Sequence, residues 1–109
     1  MSLFKIEKKD QPVVNVFDGV IRHTLVCGKD VLMARFEYEK GSKVPPHQHN
    51  HEQATTILKG KQKIIILEEN GRQEFIVKMG DSYVVPAGFK HEQITLEDCI
   101  TIDAWSLAL

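Results

Sequence analysis

The sequence has few of the features that mark nucleic-acid-binding, membrane or secreted proteins. Its 109 residues include 2 cysteines and 1 tryptophan, and the formal net charge is −1. This balance argues against a nucleic-acid or anionic-membrane partner, because either would require an excess of basic side chains on one face. The longest wholly apolar run, Ile64–Leu67, is far too short to span a membrane. We expect a single domain over residues 1–109 with one core.

Signals for secretion and for a disulfide framework are also scarce. The first residues, MSLFKIEKKD, contain neither an apolar signal core nor a small-residue cleavage site, which favours a cytoplasmic location. Cys27 and Cys99 both lie in apolar segments that resemble strands. In a cytoplasmic chain we expect them to be buried reduced thiols rather than a disulfide.

Short β-type runs separated by turn signals recur along the whole chain. No stretch keeps the 3.6-residue apolar period for three turns, so little helix is expected. Asn70-Gly71 is a hairpin signal, and Gly60 and Gly80 are expected to reverse the chain. The pattern predicts an all-β sandwich or barrel. The expected strands are 13–17, 21–26, 31–39, 54–58, 62–67, 73–78, 82–85, 91–96 and 100–107.

Four of the five histidines fall in two glycine-bounded stretches. His47 and His49 have period-two spacing, so on an extended strand beginning at Pro45-Pro46 both imidazoles would point to one face. His91 follows the turn signal Pro86-Ala-Gly88. Because a divalent metal needs two or three imidazoles converging at about 2.1 Å, the histidines predict a metal site.

The other two histidines are expected to do something else. His51 and its neighbour Glu52 lie in the spacer after His49, where surface or supporting roles are expected. His23 is expected to be an ordinary strand residue.

The two stretches resemble the two signatures of the cupin superfamily, the conserved-barrel type. The first, G-x5-H-x-H-x3/4-E-x6-G, is matched by Gly41, His47, His49, Gln53 and Gly60, with glutamine where glutamate is usual. The second, G-x5-P-x-G-x2-H-x3-N, is matched by Gly80, Pro86, Gly88 and His91, with Thr95 in place of asparagine. The resemblance implies a double-stranded β-helix, also called a jelly roll or cupin barrel, and adds Gln53 to the three histidines as a metal ligand.

Glutamine at position 53 changes the chemistry expected of the metal. With three neutral imidazoles and a neutral amide a divalent ion keeps its full charge, which makes it a stronger Lewis acid and disfavours its oxidation. The ion would be Zn, Ni, Co, Fe or Mn, since imidazole-rich sites accept all of these. The alternative is a degraded site that binds metal weakly or not at all.

The segment from Ile100 carries a second candidate. Asp103 and Trp105 alternate on one face of an otherwise apolar run. A carboxylate there needs a partner or has a raised pKa, and such a group suits a general base next to a carbon acid. Trp105 would then form the wall of a sugar-binding cavity. The alternative is a structural aspartate beside a core tryptophan.

These details resemble one cupin group, the small single-domain pectin-degradation cupins of the KdgF type. The group shares the run H-x-H-x-H-E-Q and an aspartate two residues before an aromatic. The resemblance implies ketonisation of 4,5-unsaturated uronates from pectin or alginate, with Asp103 and Trp105 in the catalytic cavity. The group also has an arginine slightly beyond the aromatic, where this chain has Leu107, Ala108 and Leu109. Arg35 or a lysine would have to replace it.

Three functional classes remain open on the sequence alone. They are a metal-dependent isomerase acting on a sugar acid, a metal-dependent dioxygenase, which Gln53 disfavours, and a non-catalytic small-molecule-binding cupin. A homodimer is expected as well, because 42% of the residues are hydrophobic and one thin sandwich cannot cover so many apolar strand faces.

Overall fold

The computed structural model describes residues 4–107, which are almost wholly β. A short 3₁₀ turn at Lys8–Asp10 precedes eight strands, and among the described residues no helix is long and apolar enough to cross a membrane. The strands are β1 (Val13–Phe17), β2 (Val20–Cys27), β3 (Val31–Tyr38), β4 (Lys43–His47), β5 (Gln53–Glu68), β6 (Gly71–Lys78), β7 (Ser82–Val85) and β8 (Lys90–Ser106).

The two longest strands, β5 and β8, run side by side through both layers of the fold. The second half of β8 (99–106) pairs with β3 and with residues 53–59 of β5. The first half (90–97) pairs with β4 and with residues 61–67 of β5. β1 and β2 extend the sheet beyond β3, while β6 and β7 pair with β5, and every pairing is antiparallel. The architecture is the jelly roll expected from the sequence.

The chain breaks expected at Gly60 and between residues 96 and 100 are wrong, because β5 and β8 are continuous there. Gly60 has φ +87°, and a Cβ on it would overlap the Asp98 carbonyl oxygen and lie 2.8 Å from the Cα of Cys99. The register between the two strands also shifts on both sides of Gly60. This glycine therefore lets two strands cross in contact and does not reverse the chain. The turn at Gly80 and the Asn70-Gly71 hairpin are confirmed.

The interior contains an apolar cluster and a separate set of polar side chains. The apolar cluster is Val20, Tyr38, Val44, Ile57, Ile64, Ile66, Val77, Val85 and Cys99. The buried polar residues all belong to β5 and β8, and are Gln53, Thr55, Gln62, His91, Gln93, Thr95, Thr101 and Asp103. Burying polar groups costs free energy unless they are hydrogen-bonded, so their concentration on two strands indicates a functional site there.

The remaining expectations concern the cysteines and the surface. Both thiols are free, but only Cys99 is buried, and the expectation of burial is wrong for Cys27 at the exposed end of β2. Apolar side chains are exposed on β1 and β2, Val13 and Ile21 among them. The homodimer and the cytoplasmic location stay predictions.

Candidate metal centre and adjoining cavity

The three histidines of the two sequence motifs meet at one place between the layers. One ring nitrogen from each of His47, His49 and His91 lies within 4.8 Å of the others. His47 and His91 are direct partners in the β4–β8 ladder, and their ring centroids are 4.2 Å apart. The register shifts between Val44 and His47, across the two prolines, which lack the backbone N–H that a regular ladder would require. The convergence of the three imidazoles that the sequence predicts is therefore present.

The expected cause of that convergence, a strand that begins at the prolines and carries His47 and His49 on one face, is only partly right. β4 begins at Lys43 and not at the prolines, and it ends at His47. His49 lies beyond the strand, so a shared strand face does not explain its position. The loop holds it instead, because the Gly88 N–H donates to the His49 carbonyl oxygen at 2.9 Å and the Ser106 N–H donates to that of Glu52 at 3.1 Å.

Each of the three imidazoles is oriented by a backbone carbonyl two residues away in sequence. A carbonyl can only accept, so each Nδ1 carries the proton and each Nε2 keeps its lone pair. This is the tautomer that a metal ion requires. The pairs are His47 Nδ1 with Pro45 O at 3.0 Å, His49 Nδ1 with His51 O at 2.7 Å, and His91 Nδ1 with Phe89 O at 3.4 Å.

The remaining histidines stay outside the cluster. Among the described residues, His51 is not part of the histidine cluster. Its backbone carbonyl accepts from His49 Nδ1 and so helps to orient that ring. His23 pairs with Glu37 at 2.8 Å.

His91 is buried with one nitrogen left unsatisfied. It is 0% exposed, and its Nε2 has no hydrogen-bond partner among the described residues. Burial, and then the neighbouring His47, lower the pKa of His91 to about 4. The ring is therefore neutral at pH 7 with its lone pair available. A buried acceptor without a partner is costly, and a cation at the centre of the cluster would satisfy it.

Gln53 connects the histidines to Asp103. Its Nε2 donates to Thr55 Oγ1 and to Asp103 Oδ2, both at 2.9 Å. Since both amide hydrogens are used, Oε1 must face the other way, where it accepts from Trp105 Nε1 at 3.2 Å and lies 3.0 Å from His49 Nε2. With the His49 proton on Nδ1, two lone pairs face each other across that distance. Such an arrangement is repulsive unless a cation or an additional proton lies between them.

These observations fit a divalent metal ion. Three imidazole nitrogens and one amide oxygen form a donor set typical of first-row transition metals. The unpaired Nε2 of His91 and the opposed lone pairs of His49 and Gln53 both call for positive charge at the same point. His47, His49, His91 and the Gln53 Oε1 would hold the ion.

Asp103 is buried without a counter-charge in contact. It is 1% exposed, and besides Gln53 its carboxylate accepts from Thr55 Oγ1 at 3.0 Å and from Thr101 Oγ1 at 2.7 Å. Burial raises the pKa of Asp103 to about 6, and the three hydrogen bonds limit the rise. The two possibilities that the sequence left for this carboxylate, a partner or a raised pKa, occur together.

The same contacts explain why position 53 is glutamine. A glutamate in this orientation would place an anionic oxygen where Nε2 now lies, 2.9 Å from Asp103 Oδ2. Two carboxylates at that distance cannot both be ionised. Sequence reasoning treated Gln53 only as a metal ligand that sets the residual charge of the ion, and it missed this link because nothing in a sequence pattern relates two positions 50 residues apart.

A cavity of about 180 Å³ adjoins the cluster. His47, Gln53, Asp103 and Trp105 line it, together with Arg22 of β2. It is smaller than the roughly 300–1,000 Å³ of common ligand pockets, which favours a single-ring ligand. Three larger hollows, of about 310, 520 and 340 Å³, are lined by none of the candidate ligands and not by Asp103.

The arginine of the cavity is not the one suggested by the sequence. β3 turns Ala34 and Tyr38 into the core, so Arg35 faces outward, across from His23. Arg22 lines the cavity instead. The signal in the sequence was its spacing from Val20, because residues two apart on a strand share a face and Val20 is buried. Of the residues that follow Trp105, Ala108 and Leu109 lie outside the described residues.

Comparisons with known proteins agree with this architecture. The family model of the cupin domain matches residues 34–103. The pectin degradation protein KdgF of Dickeya dadantii (strain 3937) is 27% identical over 99 residues, which cover 89% of this chain and 86% of that protein.

Two solved structures have the same fold. An RmlC-like cupin from Shewanella frigidimarina NCIMB 400 superposes with TM-score 0.83 at 21% identity, over 95% of this chain and 90% of that one. KdgF from Halomonas sp. gives TM-score 0.79 at 22% identity, over 96% and 94%. The family match covers well over half of the chain, from β3 to Asp103, and with these geometries it shows that the chain belongs to the cupin family.

Proposed function

We propose that this cupin is a metal-dependent isomerase of 4,5-unsaturated uronates, the sugars released when pectin or alginate is cleaved by elimination. The observation that carries the proposal is the Gln53 amide, which joins the histidine cluster to a buried carboxylate beside a small cavity. The likeness to the pectin degradation protein of Dickeya dadantii supports the substrate class.

The proposed reaction rearranges bonds within one molecule. The anomeric hydroxyl loses its proton, the bond between C1 and the ring oxygen breaks, and C1 becomes an aldehyde. The released enolate at C4–C5 then gains a proton at C4 while its C5 oxygen becomes a ketone. One proton leaves and one arrives, so the linear product is an isomer and no oxidant or reductant is consumed.

Asp103 is the residue we assign to the proton transfers. Its carboxylate lines the cavity, and its hydrogen bonds to Thr55, Thr101 and Gln53 fix its orientation. A pKa near 6 gives it access to both protonation states near neutral pH. Trp105 forms a wall against which a sugar ring packs. A metal bound by the histidines and Gln53 would supply Lewis-acid polarisation of a substrate oxygen.

The test is the decay of the ultraviolet absorbance of the conjugated double bond in an unsaturated uronate. Metal-loaded protein should accelerate the decay, and Asp103→Asn should reduce the rate by about 100-fold or more, because it removes the base and keeps the shape. Asp30→Asn, in the exposed turn between β2 and β3, is the matched control and should retain the rate.

Two outcomes would contradict the proposal. Absence of acceleration with uronates from both pectin and alginate would favour a non-catalytic binding protein. Oxygen uptake coupled to substrate loss, followed with an oxygen electrode, would instead indicate a dioxygenase.

A further inference from the structure

Arg22 is a cation on the inner face of β2. Val20, two residues earlier on the same strand face, is 0% exposed. Across the ladder Arg22 pairs with Phe36, which packs against the core on the inner face of β3. Arg22 therefore points between the layers, and it lines the same cavity as His47, Asp103 and Trp105.

The guanidinium of Arg22 is not satisfied by the fold. Its Nε is buried without a hydrogen-bond partner, and no hydrogen bond or ion pair joins the group to any residue in the range 4–107. An arginine is always charged and offers five N–H donors in a planar fork. Asp103 does not satisfy it, because that carboxylate is held by Gln53, Thr55 and Thr101. The cavity thus contains a cationic group whose Nε has no hydrogen-bond acceptor among the described residues.

We infer that Arg22 is the carboxylate-binding residue of the cavity and selects an anionic sugar over its neutral counterpart. A guanidinium matches a carboxylate in a two-point, charge-assisted hydrogen bond, and partial burial strengthens it. Arg22, Asp103 and Trp105 would then contact different parts of one small ring. The sugar-acid class rests on the proposed function, whereas the need for an anion beside Arg22 comes from its unpaired donors.

Arg35 provides a matched control on the neighbouring strand. It is also an arginine with a buried, unpaired Nε, but it faces the outer surface and does not line this cavity. Removing either guanidinium deletes the same charge and the same number of donors. Only removal of the Arg22 guanidinium should weaken the binding of an anionic ligand in the cavity.

The experiment measures binding of D-galacturonate and D-galactose, which share the ring and differ at the carboxylate. Trp105, the only tryptophan, reports occupancy by its fluorescence. Wild type should bind galacturonate more tightly than galactose. Arg22→Gln should weaken galacturonate binding by roughly 10- to 100-fold and leave galactose within about twofold. Arg22→Lys should fall between, because it keeps the charge and loses the fork, and Arg35→Gln should match wild type.

Two outcomes of the binding experiment would overturn the inference. Wild type without a preference for galacturonate removes the anion site, and equal losses for both sugars in Arg22→Gln indicate a packing role. Failure of the proposed function is a separate result. Binding of galacturonate through Arg22 without ketonisation overturns only the reaction, whereas ketonisation with an unchanged KM for the uronate in Arg22→Gln overturns only this inference.

Discussion

One half of β8 buries His91 and the other buries Asp103, and the surroundings of these two ionisable side chains differ. His91 in the first half and Asp103 in the second are both shifted towards their uncharged forms by burial, with pKa values of about 4 and about 6. Asp103 accepts three hydrogen bonds from neighbouring side chains, whereas the Nε2 of His91 has no partner among the described residues. The fold supplies hydrogen-bond donors to the carboxylate, whereas the imidazole Nε2 needs a ligand to act as its partner.

The largest expected effect comes from removing two of the imidazoles that converge on His91. His47→Ala combined with His49→Ala should abolish stoichiometric metal, because a four-ligand transition-metal site is worth about 10–16 kcal/mol and losing two ligands should cost roughly 10³- to 10⁴-fold in affinity. Metal analysis of the purified protein measures this. Asp103→Asn should retain the metal, and equal metal in wild type and the double variant would contradict the ligand assignment.

The second prediction breaks the crossing that separates the two halves. Gly60→Ala should destabilise the fold by about 3 kcal/mol or more, because it adds a backbone overlap with Asp98 to the strain of a positive φ. Gly80→Ala is the control, since φ is +92° there and nothing lies within 4 Å of the added Cβ. Its cost should be limited to the conformational strain, about 1–2 kcal/mol. Urea denaturation compares them, and equal losses would mean that the crossing is not tightly constrained.

The smallest effect is on the pH dependence of folding stability in metal-free protein, to which His91 and Asp103 contribute slopes of opposite sign. The pKa of His91 is lowered in the folded state, so its contribution to stability is lost as pH falls from about 6.5 to about 4. The pKa of Asp103 is raised, so its contribution is lost as pH rises from about 3.8 to about 6. Each has a slope of at most about 1.4 kcal/mol per pH unit.

Between about pH 4 and pH 6 the two slopes should nearly cancel. Asp103→Asn removes one of them, so its stability should rise with pH across this window while that of wild type stays flat. Urea titrations at four pH values, with chelator present, measure the difference. Parallel profiles for the two proteins would show that Asp103 does not titrate in this range.

Local spacing was enough to predict the histidine cluster and an all-β sandwich or barrel, and the resemblance to the cupin signatures selected the jelly roll. His47, His49 and His91 stand at fixed distances from glycines and prolines, and such distances are properties of the sequence itself. The alternation along β3 that buries Ala34 and Tyr38 is equally a property of the local sequence. Burial of Asp103 was also accessible, because its neighbours are apolar.

Contacts between distant residues were not accessible to the same reasoning. The break expected between residues 96 and 100 coincides with Glu97-Asp98, an exposed polar pair at the crossing of a continuous strand. The link from Gln53 to Asp103 and the position of Arg22 depend on which strands become neighbours. Arg35 lies on the outward face of β3 and Arg22 on the inward face of β2, so strand alternation distinguishes them only when the buried face of each strand is known.

The pairing of β8 also has a consequence for how the protein comes to be folded. β3, β4 and β5 all use β8 as a neighbour, so neither layer can close before residues 90–106 are available. During synthesis the earlier strands must wait with their edges exposed until this segment leaves the ribosome. Sheets built from such distant pairings fold in milliseconds to seconds rather than microseconds. A chain cut before β8 should therefore bind chaperones or aggregate, rather than form a smaller barrel.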